Sequence, residues 1–230
     1  MLILWDKLPL EMKNESVRKY YLVLKKKTFS LVLKRIFDIL MSIILIILLG
    51  GVFLVLAIAI KLDSEGSVFY KQTRVTAYNK EFKIIKFRTM VNNADEVGSL
   101  VTTEHDKRIT SIGSKIRKCR LDEIPQLINI LKGEMTFIGT RPEVRKYVDC
   151  YTEEMLATLL LPAGVTSITS LEFKNEDEIV EKYLKQGELI DEIYVNKILP
   201  LKMELNLKYL TDVGFGSCIK ILFKTLKDVI

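Results

Sequence analysis

Hydrophobic positions run unbroken through one segment of this chain and mix with polar ones nearly everywhere else. From Ile39 to Ile60 there is no charged side chain, and only Ser42, Gly50 and Gly51 interrupt the apolar residues. Wound as a helix, a run of roughly 20 such residues is long enough to cross the hydrocarbon core of a bilayer. It begins too deep in the chain for a signal peptide, and no small-residue cleavage site follows it. Glycine weakens a helix, so the central Gly50-Gly51 pair is where it would bend if it entered and left by one membrane face. An ordinary crossing helix, with its glycines packed against a neighbour, fits the same pattern.

Elsewhere the pattern predicts short elements. Residues 1–33 mix charge with Trp5, Tyr20, Tyr21, Val23 and Leu24, which reads as an interfacial or peripheral helix. Val68-Phe69-Tyr70 and the stretch Phe82–Phe87 are β-prone, and the polar turn Thr76–Lys80 between them makes a hairpin. Asn92–Asp106 reads as a polar loop. Ile112–Lys118 and Ile124–Leu131 read as helices, with Gly133 as a stop signal. Pro142, Pro162 and Gly164 mark turns, and Glu176–Lys185 and Leu199–Leu210 are further helices. The expected class is α+β. Residues 1–33 form an interfacial extension, 34–61 a membrane-embedded anchoring helix, and 62–230 a small unit of helices and a β-hairpin.

Composition agrees with two parts of different character, since 49% of residues are hydrophobic while 28% are charged. The net charge of +6 suits a nucleic acid or an anionic membrane. No zinc-finger spacing, basic heptad or aromatic RNA-binding strand is present, which sets nucleic acid aside. Basic residues crowd both flanks of the apolar run: Lys25, Lys26, Lys27, Lys34 and Arg35 before it, Lys61, Lys71, Arg74 and Lys80 after it. Cytoplasmic flanks carry that enrichment, so both ends are expected on the cytoplasmic face. Asp38 stands at the entrance beside Lys34 and Arg35, where an acid favours the helix dipole and the cations meet lipid headgroups. Cys119, Cys150 and Cys218 form no C-x-x-C pair, which points to a reducing compartment and away from zinc. The single histidine, His105, lies in the polar loop and is expected to be exposed.

Candidate chemistry sits in Lys118-Cys119-Arg120-Leu121-Asp122-Glu123-Ile124-Pro125-Gln126. Two adjacent carboxylates follow a basic cluster of Lys115, Arg117, Lys118 and Arg120. Cations that close lower a carboxylate's proton affinity and keep it ionised. They also attract a phosphorylated ligand. An ionised aspartate beside bound phosphate can act as a nucleophile. The same tract also reads as a plain helix start, with acids in a first turn near a proline.

The rest of the chain weights that choice. In order stand Lys34-Arg35-Ile36-Phe37-Asp38, the apolar run, Lys61-Leu62-Asp63-Ser64, Val68-Phe69-Tyr70-Lys71-Gln72 and Lys86-Phe87-Arg88-Thr89-Met90. Asp106-Lys107-Arg108-Ile109-Thr110, Leu121-Asp122-Glu123-Ile124-Pro125-Gln126, Lys132-Gly133-Glu134-Met135 and Gly139-Thr140-Arg141-Pro142 follow. Together they resemble the bacterial sugar transferases that act as small monotopic phosphoglycosyl transferases, strongly over residues 34–145 and more loosely to the C-terminus. The resemblance implies transfer of a sugar-1-phosphate from a UDP-sugar to polyprenyl (undecaprenyl) phosphate with release of UMP. It implies a catalytic domain on the cytoplasmic face of the bacterial inner membrane, a re-entrant anchor and the start of glycan assembly. By matching motifs, Asp122 corresponds to the nucleophile and Glu123 to its partner acid, both close to a required Mg²⁺. Arg117 and Arg141 correspond to phosphate-holding arginines, Lys86 and Arg88 to a motif near the site, and Lys34, Arg35, Asp38, Gly50 and Gly51 to the anchor.

The chemistry supports these roles: arginine forks offset the charge of a diphosphate that would repel a carboxylate, and a covalent intermediate divides the transfer into two steps. The chain departs from the family pattern at Gly50-Gly51 (in place of Ser-Pro), at Thr140 in the Gly-Pro-Arg-Pro motif, at Cys218 where an Asp is common, and at Pro162–Ser167. Two rivals stand: a non-catalytic basic membrane adaptor, and a glycosyltransferase that moves sugar without phosphate. One sequence carries no signal for the sugar, the glycan or the oligomeric state.

Overall fold

In the computed structural model, which describes residues 2–92, 94, 106–173 and 176–229, the apolar run is divided between two helices. After 3-10 turns at Trp5–Lys7 and Leu10–Met12 the chain forms α1 (Glu15–Lys26), then α2 (Thr28–Leu48) and α3 (Gly50–Asp63). The axes of α2 and α3 differ by 63°. The break falls at Leu49, whose ψ of 4° lies outside the α-helical basin. A Cβ added at Gly50 or Gly51 would meet nothing within 4 Å. The glycines therefore permit the bend, and among the described residues neither packs against a neighbour. Among the described residues no single helix is long and apolar enough to cross a membrane, but this bent pair passes that test together. Around the bend Ile43, Ile44, Ile47, Leu48, Leu54, Val55 and Ile58 are each more than 40% exposed. So contiguous an apolar surface marks a lipid or protein contact.

The helix expected within residues 1–33 forms, but its apolar stripe faces the protein rather than a bilayer surface. Asn14 caps α1 by accepting from the Val17 amide at 2.8 Å. Val17, Tyr21 and Leu24, spaced for one helical face, are buried in a cluster with Leu160, Leu210 and Val213.

The hairpin forms as expected. Strands β1 (Phe69–Thr76) and β2 (Lys80–Phe87) pair antiparallel from Phe69↔Phe87 to Thr76↔Lys80. Tyr78 and Asn79 turn between them at positive φ. Helix α4 (Ser111–Lys118) follows, capped by the Thr110 hydroxyl, then α5 (Gln126–Lys132). Gly133, at φ 85°, ends α5 as predicted, with Glu134 and Gly133 amides returning to Asn129 and Ile130 carbonyls. Strand β3 (Met135–Ile138) pairs parallel with β4 (Ala163–Thr166) across a connection holding α6 (Arg145–Val148). Gly164, expected in a turn, lies inside β4. Its backbone approaches Gly139 so closely that a Cβ would overlap the Gly139 amide nitrogen, and the missing side chain rather than turn geometry explains it. Helices α7 (Ile168–Glu172), α8 (Glu176–Leu184), α9 (Ile190–Ile193), α10 (Leu199–Asp212) and α11 (Phe215–Val229) complete the α+β fold. Most of the predicted loop Asn92–Asp106, His105 included, lies outside the described residues.

The largest correction concerns Lys34, Arg35 and Asp38, expected at a lipid interface. Lys34 and Asp38 are only 8% and 2% exposed. Asp38 accepts from the Thr136 hydroxyl at 2.6 Å and the Phe137 amide at 3.2 Å. Lys34 lies 3.5 Å from the same carboxylate and also bonds the Thr136 hydroxyl. Arg35 donates to the Ile130 and Leu131 carbonyls at 2.7 and 3.0 Å, closing the C-terminus of α5. Buried charges persist because each has a partner. In the sequence, Lys34 and Asp38 sit four residues apart whether they face lipid or protein, which is why the pattern misled.

Candidate active site

The dyad sits in its own turn rather than in the first turn of a helix. Arg120 adopts a left-handed conformation (φ 53°), which ends the path of α4. Leu121–Glu123 then make a single 3-10 turn, and Pro125, which has no amide hydrogen to give, leads into α5. What fixes this turn is Asn129 on α5, which is fully buried. Its amide oxygen accepts from the Ile85 backbone at 3.0 Å. Its amide nitrogen donates to the Lys83 carbonyl at 2.9 Å and to Glu134 at 2.7 Å. Those contacts pin α5 to β2 at Lys83 and Ile85, just before Lys86, and so set Lys86 against the dyad.

Lys86 Nζ lies 3.0 Å from Glu123 Oε1 and 3.9 Å from Asp122 Oδ2. Arg141, on the segment after β3, reaches the same Glu123 oxygen at 3.0 Å and the Val165 carbonyl at 3.4 Å. The structure thus brings together Asp122, Glu123, Lys86 and Arg141. Arg117 joins them through charge, lowering the proton affinity of Asp122 without a hydrogen bond to it.

The two carboxylates are driven in opposite directions. Burial raises the pKa of Asp122, helped by the neighbouring Glu123 charge, and this outweighs the pull of Lys86 and Arg117. Burial also opposes ionisation of Glu123, but Arg141 and Lys86 more than offset it and hold the group well below the usual carboxylate range. In return Glu123 raises the pKa of Arg141. The expectation that the basic cluster simply keeps the aspartate ionised is therefore corrected. Lys115, Lys118 and Arg120 are exposed, and the cation in contact with Asp122 comes from a distant strand. Carboxylates whose environments part their proton affinities take different chemical roles. Glu123 is the fixed charge that locks two cations in place; Asp122 is the poorly compensated carboxylate, better suited to attack.

Arg88 is occupied elsewhere. It is buried and donates to the Ser64 carbonyl at 2.6 Å and to the Glu65 carbonyl, where the chain leaves α3. Gly66, at φ 120°, has no side chain because the Arg88 guanidinium fills that space. Arg88 therefore ties the end of α3 to β2 and is not paired with the dyad. On the same side Asp63 accepts from the Ile112 amide at 3.0 Å, capping α4.

Two adjacent carboxylates provide the hard oxygen donors Mg²⁺ takes from proteins, the rest of its shell being water and substrate phosphate. Among the described residues no cluster of three or more His, Cys, Asp or Glu forms a fuller cage. The dyad could thus supply protein oxygens to such an ion, the rest of whose shell would come from elsewhere.

Beside the dyad opens a cavity of about 410 Å³, within the size range of small-molecule sites. Arg120 and Arg141 line it, as do Arg74, Glu143, Tyr194 and Lys202. Of these, Arg141 was assigned a role from sequence and Arg120 entered as part of the basic cluster before the dyad. Arg74 and Glu143 stood in or near recognised motifs, but Tyr194 and Lys202 lie on helical segments with no local signal of function.

Paired carboxylates, one of them held by Lys86 and Arg141, beside a cavity lined by arginines can accommodate a phosphorylated group. The family model for bacterial sugar transferase matches residues 29–230, and the chain belongs to that family and is a transferase. It is 30% identical to the uncharacterized sugar transferase EpsL of Bacillus subtilis over 87% of this chain and 88% of that one. It is 44% identical to the UDP-N-acetylgalactosamine-undecaprenyl-phosphate N-acetylgalactosaminephosphotransferase of Aeromonas hydrophila, over 45% of this chain but 25% of that protein. With the undecaprenyl-phosphate glucose phosphotransferase of Komagataeibacter xylinus it shares 31% identity over 86% of this chain and 36% of the other. The chain thus spans most of EpsL but only about a quarter to a third of the two larger relatives.

Proposed function

We propose that this protein transfers a sugar-1-phosphate from a UDP-sugar to undecaprenyl phosphate and so begins glycan assembly on a lipid carrier. The observation that carries the reading is the geometry of the dyad: Glu123 is paired with both Lys86 and Arg141 at 3.0 Å, beside Asp122, which has Lys86 at 3.9 Å. In the first step an Asp122 carboxylate oxygen attacks the phosphorus that bears the sugar. The bond from that phosphorus to the bridging oxygen breaks, and UMP leaves with its electron pair. In the second step a phosphate oxygen of undecaprenyl phosphate attacks the phosphorus of the aspartyl adduct. The P–O bond to Asp122 breaks and the carboxylate is restored. Arg141 and Arg117 offset charge as the diphosphate approaches, and Arg141 is already oriented by Glu123. Mg²⁺, held by Asp122, Glu123 and substrate phosphate, would supply further charge neutralisation.

The lipid acceptor requires a seat in the membrane. We assign that seat to α2 and α3, whose bend and exposed aliphatics suit a re-entrant hairpin on the cytoplasmic face of the inner membrane.

The test is turnover of purified chain with UDP-sugars, undecaprenyl phosphate and Mg²⁺. UMP as product, loss of release in Asp122→Asn, and a phosphosugar adduct on the Asp122 peptide by mass spectrometry are expected. UDP as product would indicate sugar transfer without phosphate. Full turnover by Asp122→Asn would remove the nucleophile assignment, and absence of any turnover would favour a membrane adaptor.

A further inference from the structure

The cavity beside the dyad has two ends of different chemistry. Its mouth carries Arg120 and Arg141, the second of which is bonded to Glu123 at 3.0 Å. Its far wall is a linked chain of polar groups drawn from three separate stretches. Tyr194 donates from its hydroxyl to Glu143 at 2.6 Å, and Lys202 donates to the Tyr194 oxygen at 3.3 Å. Lys202 also donates to both oxygens of Glu176 at 2.9 and 3.1 Å. Glu143, Tyr194 and Lys202 are each less than 10% exposed. The Tyr147 and Tyr194 rings lie 4.3 Å apart behind them. The hydroxyl-bearing residues Thr169 and Ser170 complete this side.

None of these wall groups has a part in the transfer steps. Buried charged networks are costly to assemble, and each member must be satisfied. On this wall Lys202 offsets Glu176 and Arg74 offsets Glu143, so it presents matched hydrogen-bonding groups suited to an uncharged part of the substrate, and the phosphates belong with Arg120 and Arg141 nearer the dyad. Carboxylates only accept hydrogen bonds, and hydroxyls both donate and accept. A hexose ring, with several hydroxyl donors and an apolar C–H face, matches that wall and its tyrosine better than uracil, which has a single N–H to donate. The sugar is also joined directly to the phosphorus under attack, so it must lie within one phosphoester of Asp122. Relatives of this chain are themselves named for different sugars, N-acetylgalactosamine in one and glucose in another.

We propose that the Glu143–Tyr194–Lys202–Glu176 wall is the sugar subsite and determines which UDP-sugar is accepted. This rests on the function proposed above and adds residues that the transfer chemistry does not require. The wall is rigid in this view. Glu143 and Glu176 receive the sugar hydroxyls, while Lys202 holds Glu176 and Tyr194 in register.

The full chain in lipid nanodiscs, wild type and Glu176→Gln, Lys202→Met and Ser170→Ala, would be assayed for UMP release from UDP-glucose, UDP-galactose and their N-acetyl forms. Inhibition by UMP is measured alongside. The expected result is a change of about tenfold in the preference between sugars, as loss of one directed hydrogen bond produces, with UMP inhibition constant within about twofold. Weakened UMP inhibition, together with a uniform loss across all sugars, would put the nucleoside in the cavity and overturn the proposal. So would an unchanged order of preference in all three variants. Ser170→Ala, the smallest change, keeps the test open if Lys202→Met fails to fold. A wild-type chain that releases no UMP from any sugar removes both proposals, whereas an active wild type whose variants keep its preference removes this one alone.

Discussion

Removing the positive charge of Lys86 should move the pH dependence of the reaction, and by an amount the geometry bounds. Lys86 Nζ stands 3.9 Å from Asp122 Oδ2, and the two side chains are 23% and 14% exposed. Unit charges about 4 Å apart at an effective dielectric of about 20 attract by ~4 kcal/mol. The ammonium is closer to Glu123, at 3.0 Å, and solvent reaches both partners, so the realised effect lies below that ceiling; losing Lys86 removes a restraint on the Asp122 pKa and raises it further.

The sign follows from the raised pKa of Asp122, which Lys86 restrains. An attacking aspartate must be ionised, so kcat/KM for UMP release falls as pH drops through its pKa. In Lys86→Met that acid limb should move to higher pH, and in Lys86→Arg it should stay near its wild-type position. The assay is a pH–rate profile of the first half-reaction, without lipid acceptor, with a thermal melt at each pH to confirm folding. An acid limb that does not move in a folded Lys86→Met protein would refute the electrostatic argument. A uniform loss of rate at every pH would do the same, and would make Lys86 a substrate contact instead.

Three further expectations follow from buried charge. Asp122 has a raised pKa in the fold, so its ionised form is penalised at neutral pH. Asp122→Asn should therefore abolish UMP release while raising Tm by a few degrees, about 1 kcal/mol, and a lowered Tm counts against it. Glu123 has a depressed pKa, so its stabilisation is present above the unfolded value and lost as pH falls through the folded one. Glu123→Gln should cost about 1–3 kcal/mol at pH 7 by urea titration, and its deficit against wild type should shrink in acid below about pH 4. Asp38→Ala strands Lys34 in the interior and should cost about 3–5 kcal/mol. Adding Lys34→Met should recover part of that loss, and a near-zero effect of Asp38→Ala would restore the interfacial reading of this pair. For topology, Phe29→Cys and Leu62→Cys in a background lacking the native cysteines should both resist an impermeant thiol reagent in intact cells. Labelling of one site from outside would show that the chain crosses the membrane.

Elements with a strong local signal were legible in the sequence. The hairpin had two β-prone runs around a polar turn, Gly133 stood where a helix end at positive φ favours glycine, and Gly50-Gly51 marked where the apolar run could bend. Long-range partners were not legible. Asp38 looks the same in sequence whether it faces headgroups or Thr136, and only the packing of β3 against α2 decides. The dyad was singled out from its tract, but its electrostatics were misread because proximity in sequence stood in for proximity in space. Lys118 and Arg120 are neighbours along the chain and exposed, while Lys86 and Arg141, which polarise the dyad, arrive from β2 and from beyond β3. The cavity wall was invisible for the same reason, since Glu143, Glu176, Tyr194 and Lys202 meet only once the C-terminal helices close.

These ties also explain why a soluble-looking site and an apolar hairpin share one small chain. The dyad turn lies between α4 and α5, and each of those helices is fastened to a different arm of the hairpin. Arg35 on α2 closes the carbonyl end of α5, and Asp63 at the foot of α3 caps the amide end of α4. Arg88, immediately after β2 and two residues from Lys86, adds a third tie by binding the carbonyls just beyond α3. A change in the angle between α2 and α3 therefore cannot leave Asp122 where it was: it must move α4, α5 or both, or break buried hydrogen bonds, most of them to charged groups worth about 1.5–3 kcal/mol each. The helical hairpin thus sets the position of Asp122 relative to whatever surface its aliphatics occupy. For an acceptor that arrives in that surface, this is the distance that matters.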